Sequence, residues 1–175
     1  VGRVVVKGRW AGRTVGEGHA RGCKADGQAP HNRLSEPQKA RFDLAKRACD
    51  NGDLGEIYYA KAKAIRRRGV PTWGVFIDEE KQGGGPLIDI GTHALDLTLW
   101  MMNNYEPESV TGSVYRKLAD QTETANAFGD WDPKKFTVED SAFGFIKMKN
   151  GATIVLESRW ALNIPDPPEA STVLC

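Results

Sequence analysis

Cysteine is scarce in this sequence: three residues in 175, at positions 23, 49 and 175. The number is odd and no CxxC pair occurs, which argues against a disulfide framework or a zinc site and fits a reducing, cytoplasmic setting. No apolar run approaches the roughly 18 residues that cross a bilayer. No continuous apolar stretch near the N-terminus has the character of a secretion signal. Charge of one sign is lacking too. The 24 Lys and Arg against 23 Asp and Glu leave a net +1, so there is no global electrostatic case for nucleic acid or a membrane surface. The one tight basic cluster, Arg66-Arg67-Arg68, reads first as a solvated loop. What is present is an ordinary globular composition, 40% hydrophobic and 27% charged, with enough chain for one domain or a domain plus an arm.

Residues 1–30 differ from the rest. After Val4-Val5-Val6 the segment is rich in Gly and Arg and follows neither a helical nor a strand period. Gly16-Glu17-Gly18 with Gly22 has the glycine content of a nucleotide loop. Gly22, Gly27 and Pro30 nevertheless forbid the helix that such a loop must open. From residue 31 the pattern clears. Ser35 and Gln38 form a capping box with Pro37 in the first turn. Phe42, Ala45 and Cys49 make an apolar stripe, and Gly52 ends the helix near Asn51. Residues 55–65 alternate as a strand, with Tyr59, Lys61 and Lys63 on one face and Tyr58, Ala60, Ala62 and Ala64 on the other.

A second strand is expected over 109–117, then a long polar loop over 118–136. A hairpin of 136–148 with 152–160 turns at Asn150-Gly151. After Pro165, Pro167 and Pro168 no closing element is expected. The order of elements predicts an α+β domain, a sheet with helices on one face. The other face is left open and partly apolar, as a surface for another domain or subunit.

The segment 83–102, GGGPLIDIGTHALDLTLWMM, carries the chemistry. Asp89, Thr92, His93 and Asp96 recur at i, i+3, i+4 and i+7, one narrow face of an otherwise apolar helix. Such a helix is normally buried, and carboxylates and an imidazole there are costly unless paired or used. His93 would exchange a proton with a substrate hydroxyl or carbonyl, with Asp89 orienting it or binding substrate. The structural alternative is a capping Asp and a satisfied core His. A metal would need a third ligand that the spacing does not offer. Trp73, on a loop, either stacks on a sugar ring or plugs the core. Asp140 either faces the site or caps the end of its strand, and the cap is preferred.

These residues resemble a known pattern. GGGPLIDIGTHALD resembles the GGG-x-L-x-D-x-G-x-H-x-x-D helix of the Gfo/Idh/MocA oxidoreductases, named for glucose–fructose oxidoreductase and inositol dehydrogenase. His31-Asn32-Arg33, Gly52-Asp53-Leu54-Gly55-Glu56-Ile57, Val138-Glu139-Asp140 and Asn150-Gly151-Ala152 are similar to further motifs of that family. The resemblance runs from about residue 31 to 165. It implies a mostly antiparallel, open-faced sheet like the C-terminal domain of glyceraldehyde-3-phosphate dehydrogenase. Residues 31–175 would be the substrate and oligomerisation domain, truncated at its C-terminus.

The resemblance further implies NAD or NADP as cofactor in the full-length enzyme and a sugar, cyclitol or related polyol as substrate. Asp89 and His93 would be catalytic, Trp73, Arg68 and Asp96 substrate-side residues, and Arg33 a cofactor-side residue. Asp96 is expected to cap a polar network one turn deeper. The partners implied are the small substrate and further copies of the chain through the open face. Two elements of the family pattern are missing: the Rossmann domain and its Glu-Lys-Pro lysine. The chain alone is therefore expected neither to bind NAD tightly nor to turn over. Residues 1–30 read as an irregular remnant, 7–30 of it an out-of-frame arm. An NAD-dependent glycosidase of the same fold, or a non-enzymatic oligomerisation or sugar-binding module, are the alternatives.

Overall fold

The computed structural model describes residues 4–8, 36–121, 123, 125–165 and 170–175. The architecture is α+β. Six strands form one sheet in the order β1-β6-β2-β5-β4-β3, with β1 Val4–Gly8, β2 Tyr59–Ile65, β3 Pro107–Tyr115, β4 Ser141–Met148, β5 Thr153–Arg159 and β6 Ala170–Leu174. Every neighbouring pair is antiparallel except β2 with β5. The helices are α1 Glu36–Asp50, the short α2 Glu79–Gln82 and α3 Thr92–Met102, and a π-turn, Leu87–Gly91, leads directly into α3.

Alternation in β2 divides the two faces as its sequence predicts. Ala60, Ala62 and Ala64 are fully covered, and Ile154 and Leu156 of β5 join them in the core with Phe42 of α1 and Ala94, Leu97 and Met101 of α3. The small alanines let the helix layer approach the sheet closely. Tyr58, expected on the covered face, lies before β2 and is exposed. The hairpin is as expected: Gly151 takes φ 91, which glycine adopts without strain, and Asn150 Oδ1 accepts Ala152 N–H at 3.1 Å. Its first strand begins at Ser141 rather than 136. Asp140, just before it, is buried and caps as preferred. Its Oδ2 accepts the backbone N–H groups of Lys117 and Leu118, and its Oδ1 the Ser141 hydroxyl.

The expectation that nothing closes the chain after Pro165 is overturned. Ala170–Leu174 inserts as β6 between β1 and β2, antiparallel to both. Five residues behind a proline cluster give too short a run to show a period, but Thr172 and Val173 are β-branched and suit a strand. Val4-Val5-Val6, the strand-like run in the N-terminal arm, lies within β1 against this insert. The expected out-of-frame segment and the Ser35 cap fall outside the described residues.

The second sheet face is open. It carries Phe143, Phe145, Val155 and Val173 among Lys61, Lys63, Glu157 and Arg159. Three of these charges are linked within the face: Glu157 meets Lys61 at 3.6 Å and Arg159 at 3.7 Å, and the Arg159 guanidinium lies 4.1 Å from the Phe143 ring centre. Partial burial, then Lys61, pushes the Lys63 ammonium below its ordinary value. β3 is exposed along its whole length. Among the described residues no helix is long and apolar enough to cross a membrane.

Candidate active site

The polar stripe of residues 83–102 is built differently from a uniform helix. The N–H of Thr92 reaches back five residues to Leu87 O, the wide turn of a π-helix, before regular α3 begins. That wider turn rotates Asp89 out of line with the residues that follow it. Asp89 is half-buried, whereas Thr92, His93 and Asp96 are exposed. The expected single buried face is therefore split. One carboxylate is anchored in the sheet, and a Thr–His–Asp flank faces outward with Ile88, itself 43% exposed.

The π-turn is held at both ends. Glu139 Oε2 accepts Gly85 N–H at 2.7 Å, and its Oε1 accepts Leu87 N–H at 3.2 Å. Backbone contact is so close that a Cβ at Gly85 would lie 1.9 Å from the Glu139 carbonyl oxygen. At the other end Gly91 rests on β5, where a Cβ would meet Ser158 Oγ at 3.0 Å, and Ser158 Oγ donates to Pro86 O at 2.6 Å. Glycine is required at 85 for this approach, which explains part of the glycine run.

Asp89 Oδ2 receives two donors, Trp160 Nε1 at 2.8 Å and Arg66 at 3.1 Å. Arg66 and Asp89 keep side-chain exposures of only 18% and 15%. Trp160 is fully buried, stacked edge-on to Phe136 at 6.2 Å. Arg66 also donates to Gly69 O at 3.3 Å, which ties the loop after β2 to the same point. Asp89 is thus a fixed acceptor on a rigid framework. Sequence reasoning found Asp89 but missed Arg66 and Trp160. The aromatic at the end of the hairpin and the first residue of the basic cluster were the signals.

His93 and Asp96 sit one turn apart on the outward flank. Burial pushes the Asp96 carboxyl above its ordinary value, and His93 pulls it the other way. Burial also raises the Tyr105 hydroxyl, with Asp96 adding to the effect. Asp96 forms no hydrogen bond among the described residues, so the expected cap on a deeper polar network is not seen there. The buried network one turn on belongs to Thr98, whose hydroxyl bonds Ala94 O at 2.7 Å and Thr172 Oγ1 at 3.0 Å. Trp73 is neither core plug nor neighbour of Asp89 by contact. It is 41% exposed and packs edge-on against Phe128 and Phe76, with ring centres 4.7 Å and 5.7 Å away. Arg68 is exposed and bridges by its backbone to Ala161. Arg33 lies outside the described residues.

Among the described residues no group of three or more His, Cys, Asp or Glu could hold a metal. Nor does any described strand pass through a glycine-rich turn into a helix, the arrangement that holds a dinucleotide pyrophosphate. Gly83–Gly85 follows α2, and Glu139 already takes the N–H groups of Gly85 and Leu87. The described residues do not fit a dinucleotide.

The GFO/IDH/MocA C-terminal domain profile matches residues 42–172. The chain belongs to the Gfo/Idh/MocA family. It is 46% identical over 125 residues to the D-glucoside 3-dehydrogenase of Escherichia coli strain K12, covering 71% of this chain and 35% of that protein. The chain thus spans about a third of the length of this relative. Among solved structures the fold is similar to an aldose-aldose oxidoreductase from Caulobacter crescentus complexed with glycerol. The TM-score is 0.57 at 22% identity, over 71% of this chain and 33% of that one. It is also similar to a levoglucosan dehydrogenase in complex with NADH and levoglucosan, at TM-score 0.52 and 21% identity over 69% and 30%.

Proposed function

We propose that the chain is the substrate-side domain of an NAD(P)-dependent oxidoreductase acting at a carbinol carbon of a sugar or related polyol. The observation that carries this reading is the outward flank of α3. His93 and Asp96 are presented at the surface of an apolar helix whose root is pinned by Asp89, Trp160, Arg66 and Glu139. Rigid placement of a proton acceptor is what acid/base catalysis demands. The glucoside dehydrogenase relative supports a sugar as substrate, and the relative solved with NADH supports the cofactor class.

When bound, a nicotinamide supplies hydride exchange, and its binding falls to a part of the enzyme outside the described residues. This chain's own contribution is the proton. The His93 ring takes it from the substrate hydroxyl as the alcohol becomes a carbonyl, and returns it in the reverse direction. Asp89 fixes the backbone from which His93 projects. The open sheet face, with Phe145 48% exposed, receives a second copy of the chain in this reading.

The test joins this chain to the nucleotide-binding half of its glucoside dehydrogenase relative and follows nicotinamide reduction with a methyl glucoside. His93→Ala is expected to lower kcat by at least about 100-fold. Activity within about twofold of the parent fusion would overturn the role of His93. Release of nitrophenol from a nitrophenyl glycoside without net nicotinamide reduction would overturn the dehydrogenase reading.

A further inference from the structure

The loop after β2 carries three consecutive arginines, and among the described residues only the first forms a side-chain ion pair. Arg66 is bound to Asp89. Arg67 and Arg68 are exposed and form no ion pair or side-chain hydrogen bond among the described residues. Both line one cavity of about 340 Å³, which also meets Glu123, Asn126, Trp131 and Asn163. None of its lining residues is Asp89, His93 or Asp96.

The cavity walls are fixed by bonds that leave the arginine heads unused. Leu162 N–H donates to Arg67 O at 3.1 Å and Ala127 N–H to Arg68 O at 3.0 Å. Asn126 spends its whole amide on backbone: Oδ1 accepts Val70 N–H at 3.0 Å, while Nδ2 donates to Val70 O at 2.9 Å and Gly129 O at 2.7 Å. Trp131 donates Nε1 to Ala119 O at 3.0 Å, which holds its half-buried ring in place as one wall. Besides Asn126, the polar side chains among the lining residues are Arg67, Arg68, Gln121 and Asn163, against one carboxylate, Glu123; Gln121 donates Nε2 to Lys117 O at 3.0 Å. A neighbouring hollow of about 280 Å³ shares Leu118, Ala161 and Leu162 and adds Lys117 and Arg159. Its carboxylate, Asp140, is already spent on backbone N–H groups and Ser141.

We propose that the Arg67–Arg68 cavity binds a monosaccharide bearing an anionic group, a carboxylate or a phosphate, with its ring against Trp131. Guanidinium forks match both anions geometrically, and their charge-assisted bonds are roughly twice as strong as neutral ones. The volume lies at the small end of ligand pockets, about 300 Å³ and upward, which suits one sugar ring. A fixed indole offers a flat apolar face to sugar C–H groups while the arginines take the charge. The inference concerns binding alone and does not depend on His93 or on hydride transfer.

Calorimetry on the 175-residue chain tests it, with glucuronate, glucose 6-phosphate, glucose and inorganic phosphate as titrants. At least one anionic sugar is expected to bind about tenfold or more tightly than glucose, and to weaken as salt is raised. Arg67→Ala/Arg68→Ala is expected to abolish that preference and Arg67→Lys/Arg68→Lys to restore part of it. Circular dichroism checks that each variant is folded. Trp131→Phe gives a second reading, weakening glucose 6-phosphate more than inorganic phosphate. Equal affinity for glucose and both anionic sugars, or anion binding unchanged in the double alanine variant, would overturn the site. Inorganic phosphate binding as tightly as glucose 6-phosphate would overturn the sugar assignment. Preference for glucuronate or for glucose 6-phosphate identifies which anion the arginines take.

Discussion

The indole N–H of Trp160 meets the carboxylate of Asp89 at 2.8 Å across 71 residues of chain. This bond ties the end of the hairpin to the root of the helix that bears His93. Trp160→Phe keeps an aromatic ring in the core but leaves Asp89 with Arg66 alone and opens space beside Phe136. A loss of about 2–3 kcal/mol is expected from the cavity and the lost charge-assisted bond. Urea denaturation of the chain measures it. A difference below about 0.5 kcal/mol, the range of an ordinary surface substitution, would show that the bond contributes nothing beyond it.

Gly85→Ala is expected to be among the most damaging single changes in the chain. The added methyl would stand 1.9 Å from the Glu139 carbonyl oxygen, a backbone atom that cannot swing away. A loss above about 3 kcal/mol, or no folded protein, is expected. Gly91→Ala is the milder comparison, since its nearest neighbour at 3.0 Å is the Ser158 hydroxyl oxygen. Thermal melts of the two variants should rank in that order.

Glu139 supplies both acceptors for the start of the π-turn. Glu139→Gln keeps one carbonyl oxygen and is expected to cost less than Glu139→Ala, which strands the Gly85 and Leu87 N–H groups at about 1–2 kcal/mol. Hydrogen exchange localises the effect: the amides of Gly85 and Leu87 should lose protection while those of β5 keep it.

Asp96 contributes to stability with a definite pH sign. Its folded carboxyl is raised above its ordinary value by burial. Its contribution is therefore fully present only in acid, below the unfolded pKa, and is lost as pH rises through the folded value. Asp96→Asn should consequently melt higher than the parent at neutral pH and no higher near pH 3. Because the residue is exposed, the gain is about 0.5 kcal/mol or less. The same change removes one of the two influences that raise Tyr105, so ultraviolet titration should find its hydroxyl ionising at lower pH.

Phe145→Glu addresses the open sheet face. If a second copy covers Phe145, the parent chain runs as a dimer in light scattering at micromolar concentration, and the variant runs as a monomer with an unchanged far-ultraviolet spectrum. A monomeric parent would count against the interface.

Much of the fold was legible in local pattern. The alternation of β2 and the Asn150-Gly151 turn depend on neighbours close in sequence, and each was read correctly; the Asp140 cap was also read, although its partners Lys117 and Leu118 lie more than 20 residues away. What was hidden depends on distant partners. Residue spacing at 3.6 per turn put Asp89 on the face of His93, but the pull of Glu139, Trp160 and Ser158 on the backbone widened that turn and split the stripe. Arg66 could not be told from Arg67 and Arg68 by composition, since only the sheet register decides which one reaches Asp89. β6 was missed because five residues are too few to show a period.

The placement of β6 has a consequence for the order in which the chain can assemble. The strand nearest the C-terminal end of the described residues lies inside the sheet, flanked on both sides. β2, made before it, must wait for it, and until then β2 presents an open edge beside its buried alanines. Synthesis of residues 170–174 is therefore the moment at which the sheet can zip shut. A nascent chain paused before that point would carry a template strand that invites pairing with other chains.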